Sequence, residues 1–200
     1  MKLFLLVFSL GLSFLLSAQN RELNNLAIAE DSVFGISSSL DELIHIIEST
    51  QTFISTNQEQ VELLAIVDSS QYPVKVIDGN WPENVISSIN ILKNISGKVK
   101  YYAEYPTSES GDWFIGYRYY FNESNGNTIA FERMANFFNS ECTEGVSKEL
   151  STYFFTSEGD LIAKAYSLTS SENSDLTDRL CFFPYDYQYE IIKNIKQIMK

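Results

Sequence analysis

The chain has 200 residues with 14 Lys+Arg against 26 Asp+Glu, a formal net charge of −12, and 14% aromatic residues in a 44% hydrophobic composition. That many rings can bury a core, which excludes an acidic disordered tail, while the acidic balance argues against nucleic-acid binding or docking on an anionic membrane surface. Four Pro and nine Gly exclude a collagen-like or linker-dominated chain.

The N-terminus has the layout of a secretory signal peptide. Lys2 forms a short positive region, Leu3 to Leu16 an apolar run, and Ser17-Ala18 a small-residue cleavage site before Gln19. The run is shorter than the roughly 20 apolar residues that a membrane-spanning helix needs. Residues 1–18 are therefore expected to be removed on export to the periplasm or the exterior, with no membrane span afterwards. Losing Lys2 would leave 13 basic against 26 acidic side chains, a charge of −13. In an oxidising compartment the two cysteines, Cys142 and Cys181, are expected to pair as a disulfide.

Residues 19–38 show no sustained period and are expected to be an irregular lead-in to a single α+β domain spanning 39–200. Ser39 and Glu42 have the spacing of a capping box, and Leu40, Leu43, Ile44 and Ile47 share one helical face. A second box, Thr56 with Glu59, introduces a second helix over 57–67 carrying Val61, Leu64, Ala65 and Val67, although the short, uniformly apolar run 62–67 could instead be a strand. After Tyr72-Pro73 the period changes to two, with a strand over 73–77 and a turn at 78–82. Further strands are predicted over 85–94, 98–105, 112–122, 128–139, 147–156 and 161–168. The short polar turns between them imply an antiparallel meander of six to seven strands. The tail from Tyr185 to Met199 places Tyr187, Ile191, Ile195 and Ile198 on one stripe with lysines near its end, which predicts an amphipathic C-terminal helix. The segment 119–130 echoes 153–163, each with aromatics, a Gly-centred turn and Ile-Ala, as two β-hairpins or as a duplicated one.

Register carries the sharpest inference. Opposing Arg118 and Glu132 aligns Trp113, Ile115, Tyr117, Tyr119 and Phe121 with Phe137, Ala135, Arg133, Phe131 and Ile129. Slipping by one residue opposes Arg118 to Arg133 and moves an apolar row onto Glu132 and Asn136, so the first register is preferred. It leaves Arg133 on an aromatic face, either stacked on Tyr117, Tyr119 and Phe131 or offering its planar fork to an anionic or polar ligand group. Trp113, Tyr117, Tyr119, Phe131 and Arg133 are thus the ligand-binding candidates. Arg118 with Glu132 reads as a solvated pair on the opposite face.

The catalytic inventory is thin. His45 is the sole histidine and points away from its helix's apolar face, so neither a hydrolytic triad nor a histidine zinc site can be assembled. Paired carboxylates remain open, with Glu104, Asp112 and Glu132 as candidates that no spacing selects. The run 122–127 lacks the ligand alternation of a calcium loop, and Glu172, Asp175 and Asp178 lie in what reads as a solvated loop. No cofactor or metal is expected. Asn94-Ile-Ser96 and Asn122-Glu-Ser124 fit the glycosylation pattern.

The stretches Gly111-Asp-Trp-Phe-Ile-Gly-Tyr117, Phe131-Glu-Arg133 and Asn136-Phe-Phe-Asn-Ser-Glu-Cys-Thr143 resemble a family of small secreted proteins of flavobacterial type, over roughly residues 73 to 195. The resemblance implies export; that family carries no assigned activity and lends no catalytic residues. The sequence therefore leads to an exported, non-enzymatic binding protein of the cell envelope or exterior, with a protein or small ligand as partner. A small carboxylate-dependent hydrolase, or an exported inhibitor or immunity-type protein, is the alternative.

Overall fold

The computed structural model describes residues 33–198, apart from 69, 71, 139, 180, 182 and 184–188. The expected signal peptide and residues 19–32 lie outside the described residues, as does Tyr187. Helix α1 (Val33–Thr56) precedes eight strands: β1 (Glu62–Val67), β2 (Val74–Lys75), β3 (Val85–Lys93), β4 (Val99–Pro106), β5 (Trp113–Phe121), β6 (Thr128–Phe137), β7 (Ser147–Phe155) and β8 (Leu161–Ser170). They form one antiparallel sheet in the order β2-β1-β3-β4-β5-β6-β7-β8, one strand more than the upper expected count. The additional strand is β1, the segment whose short apolar run fitted two conformations.

The helix begins six residues before Ser39, so the supposed capping box lies inside α1 and part of the expected lead-in is helical. The Thr56–Glu59 pair opens no second helix either. The Thr56 hydroxyl donates back to the carbonyls of Thr52 (3.0 Å) and Phe53 (3.2 Å), and the Asn57 side chain also donates to the Phe53 carbonyl, so both residues close α1. A single 3₁₀ turn, Gln58–Gln60, then leads into β1.

The alternation of side chains along each strand divides the sheet into two buried faces. On one, Leu40, Leu43, Ile47 and Ile54 of α1 pack onto Leu92, Tyr101, Ala103, Tyr105, Tyr120 and Phe154. On the other, Ile89, Tyr102, Ile115, Tyr117, Tyr119, Phe131 and Phe137 are covered by Phe183, Tyr189, Ile191, Ile192, Ile195 and Ile198. Among its described residues this C-terminal cover is an irregular strap, with one 3₁₀ turn at Ile195–Gln197 where a helix was expected. Its backbone is used by the sheet: the Lys193 carbonyl accepts from Thr128 N–H, Ile195 N–H donates to the Gly126 carbonyl, and the Tyr119 hydroxyl donates to the Glu190 carbonyl. Isoleucines at 191, 192, 195 and 198 fit either conformation by spacing, but their β-branching disfavours a helix, and an extended strap brings all four to the sheet.

The echoing segments 119–130 and 153–163 are the β5–β6 and β7–β8 hairpins. Each turn has a glycine at positive φ, Gly126 and Gly159, and each has a register shift just before the turn, at Phe121 and Phe155. They share a turn geometry that needs a residue in the left-handed region.

Gly116 in mid-β5 serves a different purpose. A Cβ there would lie 2.8 Å from Tyr105 Cε1 and 3.1 Å from Met134 Cγ. The Tyr105 ring is buried and stacked on Phe114 at 5.6 Å, so it cannot swing aside. Gly116→Ala is expected to lose about 1–3 kcal/mol of stability in urea unfolding, as overpacked core sites do. Most of that loss should vanish in a Tyr105→Ala background.

Candidate functional site

The β5–β6 register is the expected one: Arg118 faces Glu132, Trp113 faces Phe137, Ile115 faces Ala135, Tyr117 faces Arg133 and Tyr119 faces Phe131. It departs at the turn, where the bulge sets Phe121 against Thr128 rather than Ile129. The five candidates Trp113, Tyr117, Tyr119, Phe131 and Arg133 therefore stand together on one face. All five are buried, from Phe131 at 0% exposure to Trp113 at 9%, beneath the C-terminal strap. The rings form a continuous stack: Tyr119 lies 4.7 Å from Phe131, and Tyr189 of the strap sits 5.2 Å from Tyr117 and 5.6 Å from Phe131. This aromatic row is occupied by the chain itself.

Arg133 has partners that sequence reasoning missed. Its Nη1 meets the Glu149 carboxylate, its guanidinium lies 5.6 Å from the Tyr189 ring centroid, and the exposed Tyr166 donates to Glu149 at 3.3 Å. Glu149 pairs with Ala135, so it is the diagonal neighbour of Arg133 across β6 and β7. Extending the register argument to β7 finds this pair, since diagonal positions lie within reach of long side chains.

The larger correction concerns Arg118 and Glu132. Expected as a solvated pair, they are 5% and 1% exposed, enclosed between the sheet and α1. Arg118 Nη1 is 3.6 Å from Glu132 Oε2. The Tyr120 hydroxyl donates to the same oxygen at 2.7 Å and accepts from Gln51 Nε2 of α1 at 2.5 Å. Tyr101 and Tyr105 hydroxyls lie 3.4 Å apart nearby, and Arg118 Nε has no hydrogen-bond partner among the described residues. The helix thus lies over a buried charge pair ringed by tyrosines.

Burial, and then the neighbouring Tyr105, pushes the Tyr101 phenol well above its ordinary pKa of 10; burial and then Glu132 do the same to Tyr120. Burial first raises Tyr166 and Tyr189 to about 12, followed by the Glu149 charge for Tyr166 and by the neighbouring Tyr153 for Tyr189. A phenol held protonated by the fold stabilises it fully below pH 10, and that contribution is lost as pH rises through the shifted values. Alkaline titration followed by near-ultraviolet phenolate absorbance is expected to show the buried Tyr101, Tyr102, Tyr119 and Tyr120 ionising only with cooperative unfolding. A single titration of all 12 tyrosines near pH 10 with the fold intact would contradict this.

The remaining candidates are dispersed. Glu104 lies on the strap-covered face, where Ser87 donates to it at 3.0 Å and Tyr102 at 3.3 Å. Glu132 is on the helix-covered face, and Asp112 is exposed ahead of β5. The sheet separates Glu104 from Glu132. His45 is exposed on α1. Asp175 bridges to Thr169, and its pKa is lowered by the Thr177 hydroxyl and then by the Thr177 N–H that donates to its carboxylate. Among the described residues no group of three or more His, Cys, Asp or Glu is placed to hold a metal ion.

The disulfide is present: Cys142 in the β6–β7 connection bonds Cys181 beyond β8, with Cα atoms 5.0 Å apart. Among the described residues no helix is long and apolar enough to cross a membrane. The disulfide fits an extracellular or periplasmic protein. In comparisons with known proteins, the chain matches no family model, no curated protein and no solved structure.

Proposed function

We propose that this chain is an exported, non-enzymatic binding protein of the cell envelope or exterior, and that it meets its partner through the segment from the end of β1 to the start of β3. The carrying observation is where large apolar side chains remain in water. Tyr72, Val74, Ile77, Trp81 and Ile86 are 68%, 39%, 60%, 43% and 47% exposed, all within fifteen residues of sequence. Among the described residues the other exposed large apolar side chains, Ile95, Phe138, Leu161 and Tyr166, are scattered. Scattered exposure is normal, whereas concentrated exposure marks contact surfaces. Tyr and Trp are the residue types that anchor interfaces most often. The aromatic row of Trp113, Tyr117, Tyr119 and Phe131, filled by the strap, then serves as scaffold. With Glu104 and Glu132 on opposite faces, a binding reading accounts for more of the molecule than a paired-carboxylate hydrolase does.

Export is tested by the mature N-terminus, expected at Gln19. The surface is tested by placing a photo-crosslinking residue at position 81 in producing cells, with position 95, more exposed still and at a hairpin tip, as the control. A discrete adduct at 81 and none at 95 is expected. Equal adducts at both positions, or none at 81, would remove the support.

A further inference from the structure

Strand β8 ends the sheet, and its outer edge is only partly used. The chain itself adds to it at one end: Leu176 N–H donates to the Leu168 carbonyl at 2.8 Å, Ser170 N–H donates to the Ser174 carbonyl at 2.9 Å, and Thr169 pairs antiparallel with Asp175. Backbone groups of residues 168 and 170 therefore turn outward. The ladder with β7 runs without a shift from Ala163 to Ser170, so by alternation Lys164 and Tyr166 also turn their N–H and C=O groups outward. Among the described residues nothing pairs with those four groups.

We propose that this open edge takes a short extended peptide by antiparallel strand addition, with an acidic residue opposite Lys164 and an aromatic or β-branched residue opposite Tyr166. Main-chain hydrogen bonds supply affinity in this mode and alternate side chains supply specificity. Lys164 is the only charged residue of β8, is exposed, and holds its ammonium 4.9 Å from the Tyr153 ring, on the same face as Tyr166. Opposite charges directly across a strand pair are favourable. Read from its N-terminus, the partner motif is aromatic or β-branched, any residue, acid.

The occupied end selects the kind of partner. Leu176 already holds the place opposite Leu168, so the incoming strand has to begin opposite Tyr166 or Ser167. A second copy of β8 cannot do this. Centred on Lys164 it would set two lysines face to face, and centred on Ala165 it would drive residue 162 of the copy into the place of Leu176. A short segment with a free or sharply turned start fits; a long continuous strand does not.

The probe is acetyl-Tyr-Thr-Glu-Val-Thr-amide with a fluorophore at its C-terminal end, titrated against the full chain by anisotropy. Saturable binding is expected, with the Lys-for-Glu peptide roughly fivefold weaker. N-methylation at the Tyr and Glu amides, which would donate to the Tyr166 and Lys164 carbonyls, is expected to abolish it. In Lys164→Glu the preference should reverse, so that the Lys peptide binds better, a gain that misfolding cannot produce. Absence of saturable binding, indifference to N-methylation, or an unchanged preference in Lys164→Glu would overturn the proposal. So would a concentration-dependent dimer that the peptide dissolves, which would assign the edge to self-pairing.

Discussion

Replacing Glu132 by Gln is expected to lower stability to urea unfolding by about 3–5 kcal/mol, the range for removing one partner of a buried ion pair. The side chain keeps its volume and can still accept from Tyr120, so the loss isolates charge. The Arg118 guanidinium, 5% exposed and already lacking a partner at Nε, would be left between α1 and the sheet without a counter-charge. Arg118→Met is expected to cost a comparable amount by stranding the carboxylate with hydrogen bonds alone. The double substitution Arg118→Met with Glu132→Leu should recover most of either loss, because replacing a whole buried pair by apolar residues of similar volume is often neutral or favourable. The cycle of four proteins then gives a coupling far from zero. Additive losses in the double variant would mean that each residue acts through packing alone.

That pair also shows what the sequence could and could not carry. Its register was readable, since only one pairing of β5 with β6 avoids opposing arginines and keeps the rings in line. Its burial was not, because alternation distinguishes two faces without saying what covers them. Arg118 and Glu132 look like a solvent face only if the sheet has one. The available signal was Tyr101 with Tyr102, and Tyr119 with Tyr120: adjacent large rings point to opposite faces, and a strand such as Trp113–Phe121, buried along nearly its whole length, needs cover on both. The strap was equally hidden. Isoleucines at 191, 195 and 198 satisfy a helical stripe, and only the partners offered by Gly126 and Thr128 decide for extended backbone. Glu149 is legible only when the charge pairing is carried across β6 to β7, where it lies diagonal to Arg133. The apolar margin at Tyr72–Ile86 cannot be read from pattern at all, since exposure there depends on β2 being two residues long.

Reducing the Cys142–Cys181 bond, or replacing both cysteines by Ser, is expected to cost about 4 kcal/mol, from the loop-closure entropy of a cross-link spanning 39 residues. For a domain of this size that corresponds to a fall in Tm of about 8–16 °C. The position of the bond directs where the loss is felt first. Cys181 lies two residues before Phe183, whose ring stacks on Phe137 at 4.3 Å, the first contact among the described residues of the C-terminal strap with the aromatic face. The bond therefore fixes the point at which the strap enters, and Arg179 adds a hydrogen bond to the Cys142 carbonyl at 3.0 Å. With the bond open, protease cleavage within the strap and dye binding to the uncovered rings of Tyr117, Tyr119 and Phe131 should rise at temperatures where α1 and its face remain folded. The oxidised protein, the reduced protein and the double Ser variant separate the possibilities. Oxidised and reduced forms differ by the mass of two protons, and the reduced form and the variant should melt together, well below the oxidised one. Equal melting of all three, with the mass showing the bond formed and opened, would mean that the strap is held by its own contacts alone.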